Sequence, residues 1–541
     1  LLEPALKIPG SRAFFRPPTF EPVQPGPPGQ RYTSDSLPVS SWIIAMKAIM
    51  VVGTTSHAGK STLVTALCRI LSRKGWRVAP FKGQNMALNA YVTPTGEEIG
   101  YAQAVQAWAA GVSPWVEMNP ILLKPQGNMT SQVILRGRSV GHTGAAEYYE
   151  RFFEPGWQAI REALQQLSLE FDFLVCEGAG SPAEVNIKHR DLTNMRVARY
   201  LNAPTILVVD IDRGGAFAHV VGTLELLEPE ERSLIKGIVI NKFRGQRSLL
   251  DSGITWLEDY TKIPVLGVIP WSDHLFPAED SLSLLERRSR PANAETNIAV
   301  IRLPRIANFT DFDPLEAEPT VSVRYVSLQG GSLGYPDAAI LPGSKTTIAD
   351  LRALQESGMA QQLRDYALAG GTVLGICGGF QMLGQAISDP DQLEGDESYR
   401  PGLELLPIRT TITRNKIVRQ RSCLSNLPQP GLPIEGYEIH QGRTQALRRD
   451  GGSPEPEYLA LFDDPGLGIV DSARLVWGCY LHGVFDNGPW RRAWLNQLRQ
   501  RRGLISLPTG VPNYREQREA MLNTMADLVA DHLDLKPILP L

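Results

Sequence analysis

From residue 47 onward, short apolar runs alternate with helix-length stretches in which apolar and polar positions recur at helical spacing. Residues 48–52 read as a strand, a glycine-rich loop follows, and residues 62–73 carry a helical period. Further apolar runs at 171–176, 205–210, 237–241 and 265–269 read as strands of the same kind. Because these runs are continuous rather than alternating, they predict strands buried on both faces, in a mostly parallel sheet covered by helices on either side. The stretch 286–296 (ERRSRPANAET) is polar, charged and broken by a proline, which suits an interdomain linker with its boundary at 289–296. Beyond it the rhythm restarts, with strands expected at 297–302, 338–341, 372–376 and 475–480. The expected fold class is α/β, with two doubly wound, mostly parallel-sheet domains over 46–288 and 297–541, the second ending in a helical tail. A chain of 541 residues also exceeds what one growing core accommodates.

Residues 1–45 break this pattern. Nine prolines between Pro4 and Pro38 interrupt any period, which predicts an unstructured extension. The chain begins with Leu, and Met46 directly precedes the first strand, so an over-extended reading frame is one reading of this segment. A net charge of −3 offers no global attraction to nucleic acid or an anionic membrane, so an acidic substrate must be met by local basic groups. No run approaches the ~20 apolar residues of a membrane-spanning helix. Five scattered cysteines without a C-x-x-C pair suit a reducing, cytoplasmic compartment.

Two segments carry chemistry. The first, Gly-Thr-Thr-Ser-His-Ala-Gly-Lys-Ser at 53–61, stands between strand and helix, where backbone N–H groups and the helix dipole can cradle phosphate. Gly53, Thr54, Thr55 and Gly59 form the loop, Lys60 would reach the terminal phosphates of ATP, and Ser61 would hold Mg²⁺. Residues 54–58 separate the two loop glycines, one more than in the common phosphate loop, and this spacing resembles dethiobiotin synthetase and its relatives. Glu177 ends the strand at 171–176, where an open sheet binds ligands, and is a second Mg²⁺ candidate. Asp210 and Asp212 end the next strand similarly, with Asp210 the third candidate. Amide-rich loops carrying Lys82 and Lys124, together with Lys188 and Arg213, are candidate contacts for a carboxylate-rich substrate.

The second segment, Leu-Gly-Ile-Cys-Gly-Gly-Phe-Gln at 374–381, is the cysteine counterpart of a nucleophile elbow. Glycines around Cys377 permit a sharp strand-to-helix turn, and the Gly378 N–H can serve an oxyanion. A general base is required nearby. His482, which follows the strand at 475–480, is preferred over His440.

These residues carry a family resemblance. GICGGFQMLG, LPGSK at 341–345 and YLHG resemble class I glutamine amidotransferase domains. With KPQGNMTSQVI, EGAGSPAE, DIDRGGAFA and GYEIHQG added, the chain from residue 47 resembles the cobyric acid synthase family. The resemblance implies a carbon–nitrogen ligase that uses ATP, Mg²⁺ and L-glutamine to amidate the b, d, e and g carboxylates of adenosylcobyrinic acid a,c-diamide. It implies Cys377 as thioester-forming nucleophile, His482 as base and Gly343 beside the oxyanion. Class I domains commonly place a glutamate two residues after this histidine. Val484 stands there instead, so a Cys–His dyad is expected. Cobyrinic acid a,c-diamide synthase and a nucleotide-dependent switch with an inert thiol domain are the alternative readings.

Overall fold

The computed structural model describes residues 46–127, 129–272, 294–447 and 458–538. The extension at 1–45 and residues 289–293 of the linker lie outside them. The N-terminal half is built on six strands in the order Val265–Pro270, Ile235–Phe243, Thr205–Asp210, Lys47–Gly53, Phe173–Glu177 and Val78–Phe81, all parallel. The central strand shows why helices cover both faces. Ile49 and Val51 pack with Leu63 and Leu67 of helix Lys60–Arg73, while Met50 and Val52 pack with Leu164 and Leu167 of helix Ala145–Glu170. Side chains alternate across a strand, so a run of consecutive apolar residues fills two cores at once.

The second half forms a seven-stranded sheet. Val321–Ser327, Thr296–Arg302, Ala338–Leu341, Thr372–Ile376 and Val476–Cys479 are parallel, and Gly468–Asp471 and Tyr458–Ala460 add an antiparallel edge. Helices Thr347–Glu356, Met359–Leu368 and Gly488–Arg501 supply Leu351, Leu363 and Trp494 to its core. The architecture is therefore α/β with two mostly parallel sheets. A long antiparallel pair, Ile408–Leu424 with Pro433–Ala446, stands beside this sheet.

The chain's last helix, Tyr514–His532, follows the second sheet in sequence but packs on the first. Leu522, Met525, Ala526 and Val529 join the cluster around helix Lys60–Arg73. Gly267 shows how closely this tail lies. A Cβ there would come within 1.9 Å of the His532 carbonyl oxygen.

Candidate active site

Strand Thr372–Ile376 runs between two parallel neighbours and points its carboxyl end at a crevice, the position where open α/β sheets bind ligands. The chain then turns at Cys377 (φ 52°, ψ −108°) into helix Gly378–Met382. A non-glycine residue in that region is strained and is held there by its surroundings. Close packing does the holding: a Cβ on Gly379 would lie 2.0 Å from the Leu341 carbonyl oxygen, and one on Gly375 would lie 2.6 Å from the Gly379 carbonyl. The Cys377 thiol donates to Ile439 O at 3.5 Å. Gly378 opens the helix, where N–H groups lack intrahelical acceptors. Gly343 borders the same space, with a Cβ there 3.3 Å from the His482 ring.

His482 follows strand Val476–Cys479 and is buried. Its Nδ1 lies 2.7 Å from Asp311 Oδ2, and the other oxygen of Asp311 accepts from Gly483 N at 2.9 Å. Burial alone would push the imidazole down, but the Asp311 carboxylate and the adjoining Cys377 override it and hold His482 up at about 10. The site thus has a third member, and the expected dyad becomes a Cys–His–Asp arrangement. Val484, at the position of the usual glutamate, is buried and apolar. Asp311 lies in the short turn Phe309–Phe312, just beyond strand Thr296–Arg302 of the same sheet. The sequence does not single out Asp311, because no spacing links it to His482, 171 residues away. His440 borders the same cavity with different company. Its Nδ1 is 2.9 Å from Gly442 O, its Nε2 3.1 Å from Glu438, and its ring stacks on Tyr480 at 3.8 Å.

The two halves meet at this cavity. Lys124, on strand Ile121–Gly127 of the N-terminal half, lines it together with Lys416 from the C-terminal half. Both ammoniums pair with Glu98, Lys124 at 2.6 Å. Burial would lift the Glu98 carboxyl, but the two lysines pull it down to about 2. The turn that carries Asp311 is also braced across the halves. Asn89 Oδ1 accepts from Phe309 N at 3.1 Å, and Asn308 Oδ1 accepts from Ala90 N at 3.0 Å.

The phosphate loop lies at the carboxyl end of Lys47–Gly53. Gly59 (φ 99°) caps the following helix, and only glycine fits there, because a Cβ would meet the Asn241 amide at 1.9 Å. Lys60 Nζ donates to Thr55 O at 3.1 Å and Gly180 O at 2.9 Å. Ser61 Oγ donates to Glu177 Oε1 at 2.9 Å. Among the described residues the buried Thr54 hydroxyl has no hydrogen-bond partner, which suits a group that meets a ligand oxygen. A hydroxyl and a carboxylate already in contact suit Mg²⁺, which takes few protein ligands beside phosphate and water.

The remaining sequence candidates are placed as follows. Lys82 is buried and donates to Glu177 Oε1 at 2.8 Å, so it belongs to the phosphate site's surroundings. Lys124 is buried beside the Cys377 cavity. Asp210 is bound by Lys242 at 2.8 Å and accepts from Asp212 N at 2.9 Å, with the more exposed Arg213 3.7 Å away. Lys188 pairs with Glu231 at 2.6 Å. Among the described residues no helix is long and apolar enough to cross a membrane.

A thiol elbow with its histidine on one sheet and a phosphate loop on another define a glutamine amidotransferase joined to a nucleotide-binding domain. Residues 297–490 match the CobB/CobQ-like glutamine amidotransferase domain, and residues 49–284 match the CobQ/CobB/MinD/ParA nucleotide binding domain. Cobyric acid synthases of Nostoc sp. and Trichormus variabilis are each 71% identical to this chain over 92% of its length and all of theirs. That of Nostoc punctiforme is 72% identical over 91% of this chain and all of its own. The chain belongs to the cobyric acid synthase family, and it is a ligase.

Proposed function

We propose that this enzyme amidates the b, d, e and g carboxylates of adenosylcobyrinic acid a,c-diamide, using ATP to activate each carboxylate and glutamine to supply ammonia. A carboxylate is a poor electrophile, and phosphoryl transfer makes it an acyl phosphate that ammonia can displace. Lys60 and the loop N–H groups bind the phosphates and offset the charge that spreads over the transferring group. Ser61 and Glu177 would hold Mg²⁺, which neutralises phosphate charge when bound. Asp210 is a further candidate ligand once Lys242 yields it.

In the second half Cys377 attacks the glutamine carboxamide, its thiol proton already held by His482, which Asp311 keeps protonated. The N–H groups near Gly378 and Gly343 receive the developing oxyanion. The His482 imidazolium, steadied by Asp311, then protonates the departing ammonia, and water releases glutamate from the thioester. Free glutamine, ATP and a corrinoid assign the reaction to the cytoplasm, with no nucleic-acid or membrane partner.

The observation that carries this reading is the shared lining of the Cys377 cavity. Lys124 of the nucleotide-binding half reaches the place where ammonia is released. The test is Cys377→Ala, which should abolish glutamine-supported amidation and retain ammonium-supported amidation. Equal loss with both nitrogen donors would refute the division of labour. Supplying cobyrinic acid and its a,c-diamide separately and counting added amides by mass separates this reaction from that of cobyrinic acid a,c-diamide synthase.

A further inference from the structure

His482 is supported from two directions, and both supports lead to the nucleotide-binding half. Asp311 holds its Nδ1. The second support is Tyr437, on strand Pro433–Ala446. Its backbone exchanges two hydrogen bonds with that of His482, at 3.1 and 2.9 Å, and its ring stacks on the imidazole with centroids 5.5 Å apart and planes 25° from parallel. The far end of this ring crosses to the other half. The Tyr437 hydroxyl donates to Ala90 O at 3.2 Å, on strand Ala90–Val92. Asn308 closes a circuit: its Nδ2 donates to the Tyr437 hydroxyl at 3.5 Å, and its Oδ1 accepts from Ala90 N at 3.0 Å. Asn308 directly precedes the turn Phe309–Phe312 that carries Asp311, and it stands at φ 52°, where a non-glycine residue stays only if it is held. The carboxylate and the ring that fix His482 therefore converge on one residue, Ala90.

Packing alone does not call for this hydroxyl. Tyr437 is buried in a cluster with Val92, Leu122 and Ile134 of the nucleotide-binding half, and a phenylalanine ring would fill the same space. Burial raises the phenol well above its ordinary 10, so the hydroxyl remains a donor. A hydroxyl taken out of water is costly unless its hydrogen bonds are made, and here they are made across the two halves.

We propose that Tyr437 is a positioning residue for the glutamine reaction: its hydroxyl, tied to Ala90 and Asn308, sets the ring face against which the His482 imidazole lies, so that the nucleotide-binding half completes the geometry of the thiol site. This rests on the reading of His482 as the partner of Cys377. A small misplacement of a group that acts in the transition state costs rate, whereas the contacts that bind glutamine stay as they are. The effect belongs in kcat.

The test follows glutamate release by the full-length enzyme and its Tyr437→Phe, Asn308→Gly and doubly substituted variants. Tyr437→Phe keeps the stacked ring and removes only the hydroxyl, and Asn308→Gly removes the amide while accepting the positive φ without strain. Tyr437→Phe should lower kcat about 5- to 10-fold, the scale of one neutral hydrogen bond, with KM unchanged. The double variant should lose little beyond the more impaired single one, because both substitutions open the same circuit. Ammonium-supported amidation, which uses neither the thiol nor His482, checks that each variant has folded. Asn308→Asp, which keeps the acceptor for Ala90 N, replaces any Asn308→Gly variant that has not. An unchanged kcat in Tyr437→Phe, or a loss that appears in KM instead, would overturn the positioning role and leave the glutamine reading intact. Losses that multiply in the double variant would overturn the circuit. A wild-type enzyme that releases no glutamate from glutamine would overturn both readings.

Discussion

Asp311 Oδ2 lies 2.7 Å from Nδ1 of His482, and the same carboxylate accepts from the backbone N–H of Gly483. The two bonds fix both the ring and the chain that bears it. An anion on Nδ1 keeps the Nε2 side turned to the thiol and stabilises the imidazolium. Asp311→Asn keeps the shape but removes the charge. By comparison with the same change in serine proteases, glutaminase kcat should fall by roughly a thousand-fold or more. Glutamate release measured against glutamine concentration checks this, with the loss expected in kcat rather than KM.

The same pair makes stability depend on pH. In the unfolded chain His482 titrates near its ordinary 6.5, and in the folded protein it is held at about 10. Below pH 6.5 both states carry the proton and the contribution is fully present. Between these values only the folded state holds the proton, so stability declines as pH rises from about 6.5 towards 10. Urea midpoints at pH 6, 8 and 10 should fall across this window. In Asp311→Asn burial dominates, the imidazole drops, and that downward slope should shrink.

The apolar runs located the strands of both sheets closely. The expected 205–210, 338–341 and 372–376 coincide with Thr205–Asp210, Ala338–Leu341 and Thr372–Ile376. Interior parallel strands must be apolar on both faces, and that composition is legible without a partner. The antiparallel pair Ile408–Leu424 and Pro433–Ala446 was not legible, because half its side chains face solvent and the run Arg-Thr-Thr-Ile-Thr-Arg-Asn-Lys reads as loop. Cys377 announced itself through its glycines, which are local. Asp311 and the pairing of Glu98 with Lys124 and Lys416 depend on contacts across long stretches of chain, so their residue types alone said nothing of their roles. Lys82 and Lys124 illustrate the same limit: in isolation each resembles a solvated loop lysine, yet both are buried against carboxylates.

Glu98 joins the two halves by holding one lysine from each. Glu98→Ala leaves two buried ammoniums without their shared anion, and breaking a buried pair costs about 3–5 kcal/mol. The expected result is a lowered urea midpoint with an unaltered slope. Acid should imitate the substitution. The carboxyl is depressed from 4.5 to about 2, so its contribution is present above pH 4.5 and is lost as pH falls from there towards 2. Wild-type stability should fall faster than that of Glu98→Ala over that interval.

Lys60 separates the two chemistries. Its ammonium is directed into the phosphate loop and has no part in the thiol site. Lys60→Ala should reduce amidation by at least a hundred-fold whether glutamine or ammonium supplies nitrogen, since both routes need the activated carboxylate. Alkylation of Cys377 by a glutamine-like electrophile, which reports the intact nucleophile, should persist. Retained ammonium-supported amidation would show that Lys60 is not the phosphate-binding lysine.

The last helix makes the fold of the N-terminal half depend on residues more than four hundred positions away. Leu522 is 2% exposed and packs in the cluster that includes Leu63, Leu67 and Val529. Leu522→Ala removes apolar contacts and leaves a cavity between the tail and helix Lys60–Arg73, at a cost of about 2–5 kcal/mol. That helix begins at Lys60 and Ser61, so loosening its outer face should also weaken nucleotide binding, while the Cys377 site, built on the other sheet, should be affected less. Thermal unfolding with and without ATP checks both parts. The variant should melt at lower temperature, and a saturating nucleotide should recover part of the loss because it binds only the folded loop. If Leu522→Ala left stability unchanged, the tail would be a passenger on this domain rather than part of its core.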